Sequence, residues 1–301
     1  VNILELVPAT SDVLQIAWMG QRTYWEEEGA EVRQIHTARK KMGEVADALI
    51  AACAVKKPDL ILVRGFELLQ GVFRTDIHKA APIVLDHCTP TYVDSNHPLM
   101  AQLHRLSHVL CYSEQVAASY RKAGYGRVKT MGGPYLPSGC RDAVREGPLR
   151  VAVLNTCQSA SQVLIRVASL NAEKGWGAHI YSPMKAVGSQ QVGSNFEAAE
   201  LAQLVIAPFE ETDMGQPHEG AILALGIGRA LATSRTMAMD NMPFPSGSYI
   251  LCPRYAIGSY AAAIPTFAGS PEKFSGWVDK AKVNLSEIPK TILGWGGYGL
   301  P

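Results

Sequence analysis

Short apolar runs alternate with helical patterns along almost the whole chain, and this order constrains the fold more than any other feature. Strand signals fall on Ile3 to Val7, Ala30 to Ile35, Leu60 to Val63, Pro82 to Leu85, Val109 to Tyr112 and Val128 to Met131. Helical stretches lie between them. Asp12 to Glu28 is closed by Gly29, and Lys40 to Val55 carries Val45, Ala48, Leu49 and Ala52 on one face. Ser113 reads as the N-cap of a helix from Glu114 to Ala123, closed by Gly124. Strand, helix and strand in succession place neighbouring strands parallel. The class expected is α/β.

The pattern resumes after a break. Pro137 to Gly147 is rich in Gly, Pro and charge and reads as a linker. Beyond it come a strand (Leu149 to Leu154), a helix (Ser159 to Lys174, closed by Gly175) and a strand (Ala178 to Tyr181). A strand at Leu204 to Ala207, a small-residue helix at Gly220 to Gly228 and a strand at Arg229 to Thr233 follow. Ser246 to Pro253 reads as a turn and strand, and Ser270 to Val283 as a helix. A chain of 301 residues has room for two domains, expected at 1–145 and 146–301.

Composition narrows the class of partner. The chain is 47% hydrophobic and 18% charged with a formal net charge of +1, so no global field points to nucleic acid or an anionic membrane. Basic groups such as Arg39 to Lys41 read first as solvated faces. Six cysteines are scattered without a C-x-x-C pair, which suits a reducing cytosol. No apolar stretch approaches the roughly 20 residues that cross a bilayer, and no signal segment opens the chain. A soluble, cytoplasmic protein is expected.

The chemistry concentrates after the strand at Leu204 to Ala207. Glu211 and Glu219 bracket a loop that holds Gly215 and Pro217, with seven residues between the two acids. One carboxylate then sits at the carboxyl end of a strand, the other in the first turn of the next helix. In an open α/β sheet that crevice takes ligands. Backbone N–H groups at a helix start suit a phosphate, and acceptor-only carboxylates suit the hydroxyls of a sugar or ribose. An arbitrary acidic pair is more often a dipole-favoured carboxylate beside a solvated one.

The flanking pattern adds weight. The strand through Ala207 and Pro208, the acidic loop with its glycine, the small-residue helix and the next strand together resemble the nucleotide-binding half of GT-B glycosyltransferases. The similarity is to the retaining branch with the paired-glutamate motif. Ser107 to Ser113, the helix after it, Gly124, and Val128 to Gly133 likewise resemble the end of that family's acceptor domain.

The resemblance implies two Rossmann-like domains with parallel sheets facing a central cleft, and a tail that often crosses back to the first domain. It implies a hexosyltransferase that uses a UDP- or GDP-sugar as co-substrate, needs no cofactor or protein-bound metal, and retains configuration. Glu211 would touch the donor sugar and Glu219 the ribose, with Met214, Gly215 and Gln216 lining the donor site. His87 matches a first-domain histidine that contacts the sugar, with Asp86 as the alternative there; if the reaction inverted, Asp86, His87 or Glu67 would serve as base. The first loop, Pro8 to Ser11, lacks the family's glycines. Diphosphate charge then falls to donors such as Thr10 and Ser11 and to cations such as Lys185 and Arg235.

The acceptor expected is a glycan or small molecule. DNA is the live option, through a groove built from Arg39 to Lys41 with Arg121, Lys122, Arg127 and Lys129. A sugar-nucleotide epimerase and a non-enzymatic two-domain binding protein are the alternatives. His104 and His108, four apart, are a weak zinc pair with no supporting ligand.

Overall fold

The computed structural model describes residues 1–10, 12–88, 94, 96–131, 147–209, 218–235, 247, 249–253, 256–275 and 289–295. Two six-stranded sheets, parallel throughout, organise them. The first contains β1 (Asn2–Val7), β2 (Glu31–His36), β3 (Leu60–Arg64), β4 (Ile83–His87), β5 (His108–Cys111) and β6 (Val128–Thr130) in the order β2-β1-β3-β4-β5-β6. Its helices are α1 (Asp12–Glu27), α2 (Met42–Val55), the single turn α3 (Leu69–Val72) and α4 (Glu114–Lys122).

The second sheet contains β7 (Arg150–Val153), β8 (His179–Ser182), β9 (Gln190–Gln191), β10 (Leu204–Ala207), β11 (Ala230–Thr233) and β12 (Ile250–Leu251). Its order is β9-β8-β7-β10-β11-β12, the dinucleotide-fold order with its reversal between β7 and β10. The helices are α5 (Ala160–Lys174), α6 (Asn195–Leu201), α7 (Glu219–Ile227), α8 (Ile257–Gly269) and α9 (Pro271–Ser275). α5 packs on α8, and α6 on α7.

Side-chain alternation in the strands separates the cores. In β1, Leu4 and Leu6 face a cluster with Val45 and Leu49 of α2, Leu69 of α3 and Val116 of α4. Ile3 and Val7 face the opposite layer with Trp18 and Trp25 of α1, and that cluster continues into Ala198, Ile222 and Leu223 of α6 and α7. Val151, Val163, Ile264 and Phe267 form the remaining core. A helical segment at 289–295 lies on the first sheet's layer. There Trp25 Nε1 donates to the Pro289 carbonyl at 2.9 Å, and the rings of His108 and Trp295 stack at 4.5 Å.

One buried feature is absent from the sequence expectations. Glu5, Arg64 and Asp86 lie side by side on β1, β3 and β4, each with no exposed surface. Arg64 Nε donates to Glu5 Oε1 at 2.7 Å, and Nη1 donates to Asp86 Oδ2 at 2.6 Å. Nη2 sits 2.6 Å from Glu5 Oε1, an ion contact rather than an aligned hydrogen bond. Tyr112 Oη donates to Asp86 Oδ1 at 2.7 Å, and the guanidinium lies 5.1 Å from the Trp18 ring. Burial works against the Arg64 charge, but Glu5 and Asp86 more than offset it and push its pKa further up.

Candidate functional site

The crevice of the second sheet opens where the strand order reverses, at the carboxyl ends of β7 and β10. Hydrogen bonds tie its two lips together. Thr156, just past β7, donates its hydroxyl to the Pro208 carbonyl just past β10. Asn155 N donates to Asn195 Oδ1 at 2.7 Å, and Asn195 Nδ2 donates back to the Asn155 carbonyl at 3.2 Å, which fastens the same loop to α6.

The start of α7 is fixed more firmly. His218 is its N-cap and is fully buried, with Nδ1 accepting from Ala221 N at 3.0 Å. Nδ1 therefore carries no proton. The Thr233 hydroxyl donates to the Ala207 carbonyl at 2.6 Å, so its oxygen accepts from His218 Nε2–H at 2.9 Å. One imidazole in one tautomer thus joins β10, β11 and α7. Burial pushes its pKa down to about 3, so it stays neutral. The Phe209 ring covers it at 4.1 Å.

Gly220 completes the fit. A Cβ there would lie 2.1 Å from Ala207 Cβ, so only glycine lets the helix start approach β10 so closely. At the same edge Tyr260 Oη donates to Ser234 Oγ at 3.1 Å, and Ser234 Oγ donates to the Phe209 carbonyl at 3.0 Å. Glu219 follows His218 directly as the first residue of α7, half-buried. Its partner acid Glu211, with Met214, Gly215 and Gln216, lies outside the described residues, as does Ser11.

The first-domain candidates sit differently from the sequence expectation. Asp86 has no exposed surface, and both its oxygens are engaged by Arg64 and Tyr112. As placed it is a structural counter-ion, and a role as base has no geometric support. His87 points to the opposite face of β4 and is also fully buried. Its Nδ1 lies 2.8 Å from Tyr120 Oη, and its ring stacks on Phe66 at 5.6 Å. Neither side chain presents a surface to a ligand in this arrangement. Thr10 is half-buried after β1, Glu67 is exposed after β3, and Lys185 is exposed in the loop between β8 and β9, all at strand carboxyl ends. His104 lies in a 3-10 segment (Pro98–Arg105) and His108 opens β5, so the two share no helix face.

No protein-family pattern matches the sequence, and no curated protein does. Solved structures do match the fold. Sucrose-phosphate synthase from Thermosynechococcus elongatus superposes with a TM-score of 0.69 at 12% identity, covering 98% of this chain and 97% of that one. A Listeria monocytogenes protein named as a candidate UDP-N-acetylglucosamine 2-epimerase gives 0.67 at 10%, covering 97% and 94%. An alpha-glucosyltransferase solved with UDP and a 13-mer DNA gives 0.62 at 10%, covering 97% and 98%.

The chain has the GT-B fold. GT-B geometry sets the carboxyl ends of the two sheets toward one central cleft. The β7/β10 crevice with Glu219 and the strand ends of β1, β3 and β4 are at the carboxyl ends of the two sheets. The sequence pattern singles out Glu219 but not His218, Thr233 and Gly220, which fix the start of the helix that carries it. The local signal was present: a histidine directly before a first-turn acid, followed by glycine.

Proposed function

We propose that this chain is a metal-independent, cytoplasmic GT-B glycosyltransferase that moves a hexosyl group from a UDP- or GDP-sugar to an acceptor hydroxyl with retention. The observation that carries the reading is the second-domain crevice: a dinucleotide-type strand order, with a helix start clamped by His218 to two strand ends and opening on Glu219. The donor's nucleotide lies there. Glu219 accepts from the ribose hydroxyls, and Glu211 contacts the sugar from the loop between. Thr10, Ser11, Lys185 and Arg235 are the groups proposed to stabilise the departing diphosphate.

In the transfer the bond from the anomeric carbon to the diphosphate oxygen breaks, and the acceptor oxygen bonds to that carbon on the same face. The acceptor proton passes to the departing phosphate oxygen. No protein base is required, which agrees with the burial of Asp86 and His87. We infer that these two hold the first-domain wall in shape.

A donor-hydrolysis assay over a panel of nucleotide sugars tests the reading. Release of free sugar and nucleoside diphosphate supports a transferase. Recovery of an isomerised nucleotide sugar supports an epimerase, and binding without turnover supports a non-enzymatic protein. DNA as acceptor is the second reading; one structural neighbour holds DNA, and the exposed cations Arg39, Lys40 and Lys41 at the carboxyl end of β2 favour it here.

A further inference from the structure

The basic residues that the sequence groups as one groove are not together. Arg39 to Lys41 follow β2 at its carboxyl end, whereas Arg121, Lys122 and Arg127 flank β6 at the opposite edge of the sheet. Five strand spacings separate those edges, about 24 Å. The β6 group also lies toward the amino end of the sheet, because α4 runs back from β5 and Arg127 precedes β6. Three of its cations have partners: Arg121 pairs with Glu114, Arg127 donates to the Leu106 carbonyl, and Lys129 donates to Thr291.

The β2 corner gains a cation the sequence does not predict. Arg74, after α3, reaches over the first turn of α2, where a Cβ on Gly43 would sit 3.7 Å from its Nη1. Arg39, Lys40, Lys41 and Arg74 are all exposed, and among the described residues no carboxylate pairs with any of them. The nearest acid in sequence, Glu44, accepts from Lys41 N at 2.8 Å. Some exposed cations of the first domain are matched, as in Lys56 with Glu31 and Lys79 with Asp76, while the β2 corner gathers four that are not. Arg39 is also the only non-glycine among the described residues with a left-handed backbone, at φ 65°.

We propose that this corner (Arg39, Lys40, Lys41 and Arg74) is the surface that grips the phosphate backbone of duplex DNA and presents a base-borne hydroxyl to the cleft. The proposal deepens the DNA-acceptor reading and rests on it. The corner stands at the carboxyl end of the first sheet, on the cleft side. Four uncompensated cations suit a repeating polyanion better than a single phosphate. Large exposed apolar side chains, which a membrane surface would engage, lie elsewhere: among the described residues of the first domain they are Met19, Ile50 and Val55.

Fluorescence anisotropy with a hydroxymethylated duplex, run on the full chain from 50 to 200 mM KCl, tests it. Four phosphate contacts give a log–log slope of about −3.6, a loss of affinity of roughly 100-fold over that range. The variant Arg39→Gly, Lys40→Ser, Lys41→Ser, Arg74→Ser should bring the slope close to zero. Each change suits the local backbone: glycine relaxes the left-handed site, and serine is a better N-cap than Lys41. The control Arg121→Ser, Lys122→Ser removes charge at the far edge and should leave the slope unchanged.

Absence of duplex binding at 50 mM KCl, an unchanged slope in the quadruple variant, or equal flattening in the control would each overturn the proposal. Preference for single-stranded RNA or for anionic phosphatidylserine vesicles would overturn it as well. UDP titration of the same proteins separates this surface from the donor reading. Loss of UDP binding by the wild type with salt-dependent DNA binding intact removes the donor site and leaves the corner standing.

Discussion

His218 Nε2 lies 2.9 Å from Thr233 Oγ1, and this single contact couples the start of α7 to the end of β11. Through the Thr233 bond to the Ala207 carbonyl it also reaches β10. The helix that carries Glu219 is therefore aimed by a buried, neutral imidazole.

That neutrality makes stability depend on pH. The folded-state pKa of His218 is pushed down to about 3, whereas an unfolded histidine titrates near 6.5. Between those values the unfolded chain binds the extra proton, so stability is full above pH 6.5 and falls as pH drops toward about 3. The slope from this group is about 1.4 kcal/mol per pH unit. His218→Asn keeps an N-cap acceptor but cannot titrate. Denaturant midpoints at pH 4, 5, 6 and 7 should decline less steeply in the variant by nearly one proton. Parallel slopes would show that His218 is not the group protonated.

Gly220→Ala tests the close approach of α7 to β10. The new methyl would start 2.1 Å from Ala207 Cβ, and the helix must move to relieve it. Overpacking of this kind costs about 1–3 kcal/mol. We expect a lower melting temperature and at least a tenfold weaker affinity for UDP by calorimetry. Wild-type values for both would mean that α7 has slack the contact does not suggest.

Arg64→Met should be among the most destabilising single changes, since it leaves Asp86 buried without its cation and Glu5 with only the longer contact to Arg22 at 3.6 Å. Breaking a buried ion pair costs about 3–5 kcal/mol. Asp86→Asn should also lower the urea midpoint, yet leave the shape of the pH–rate profile as in the wild type. Loss of an ionisation from that profile would restore Asp86 as a base.

Much of the architecture is legible in the sequence because buried parallel strands are short apolar runs between helices. β1, β3, β4, β5, β7, β10 and β11 all follow that rule. β9 does not: Gln190 and Gln191 are exposed at a sheet edge and carry no apolar signal. α8 escapes notice because Pro265 lies inside it; packing on α5 through Ala261, Ile264 and Phe267 keeps it helical despite the lost donor. The helix expected from Ser270 to Val283 is described only as α9, Pro271–Ser275.

The site divides in the same way. Glu219 is legible because strand, loop and helix start are local patterns. The clamp on it is not, since His218, Thr233 and Ala207 meet only through the sheet register. Glu5 inside a buried strand was a signal in itself, because a carboxylate there requires a cation, and Arg64 at the end of β3 supplies it. Arg74 joins the β2 corner only through the packing of α3 on α2.

Transfer or donor hydrolysis should persist in excess EDTA. The GT-B reading places diphosphate charge on hydrogen-bond donors and side-chain cations, and among the described residues no group of three metal-ligating side chains gathers. Activity abolished by chelator and restored by manganese would contradict that mechanism.

On the proposed function, the second-domain crevice holds the donor's nucleotide through Glu219. Isothermal titration of UDP and GDP into the wild type and into Glu219→Ala tests it most directly. A carboxylate accepting from two ribose hydroxyls contributes about 1.5–3 kcal/mol per bond. We expect micromolar-range binding of one nucleotide to the wild type and at least a tenfold loss in Glu219→Ala, with the melting temperature little changed. Equal affinity in both proteins would contradict it.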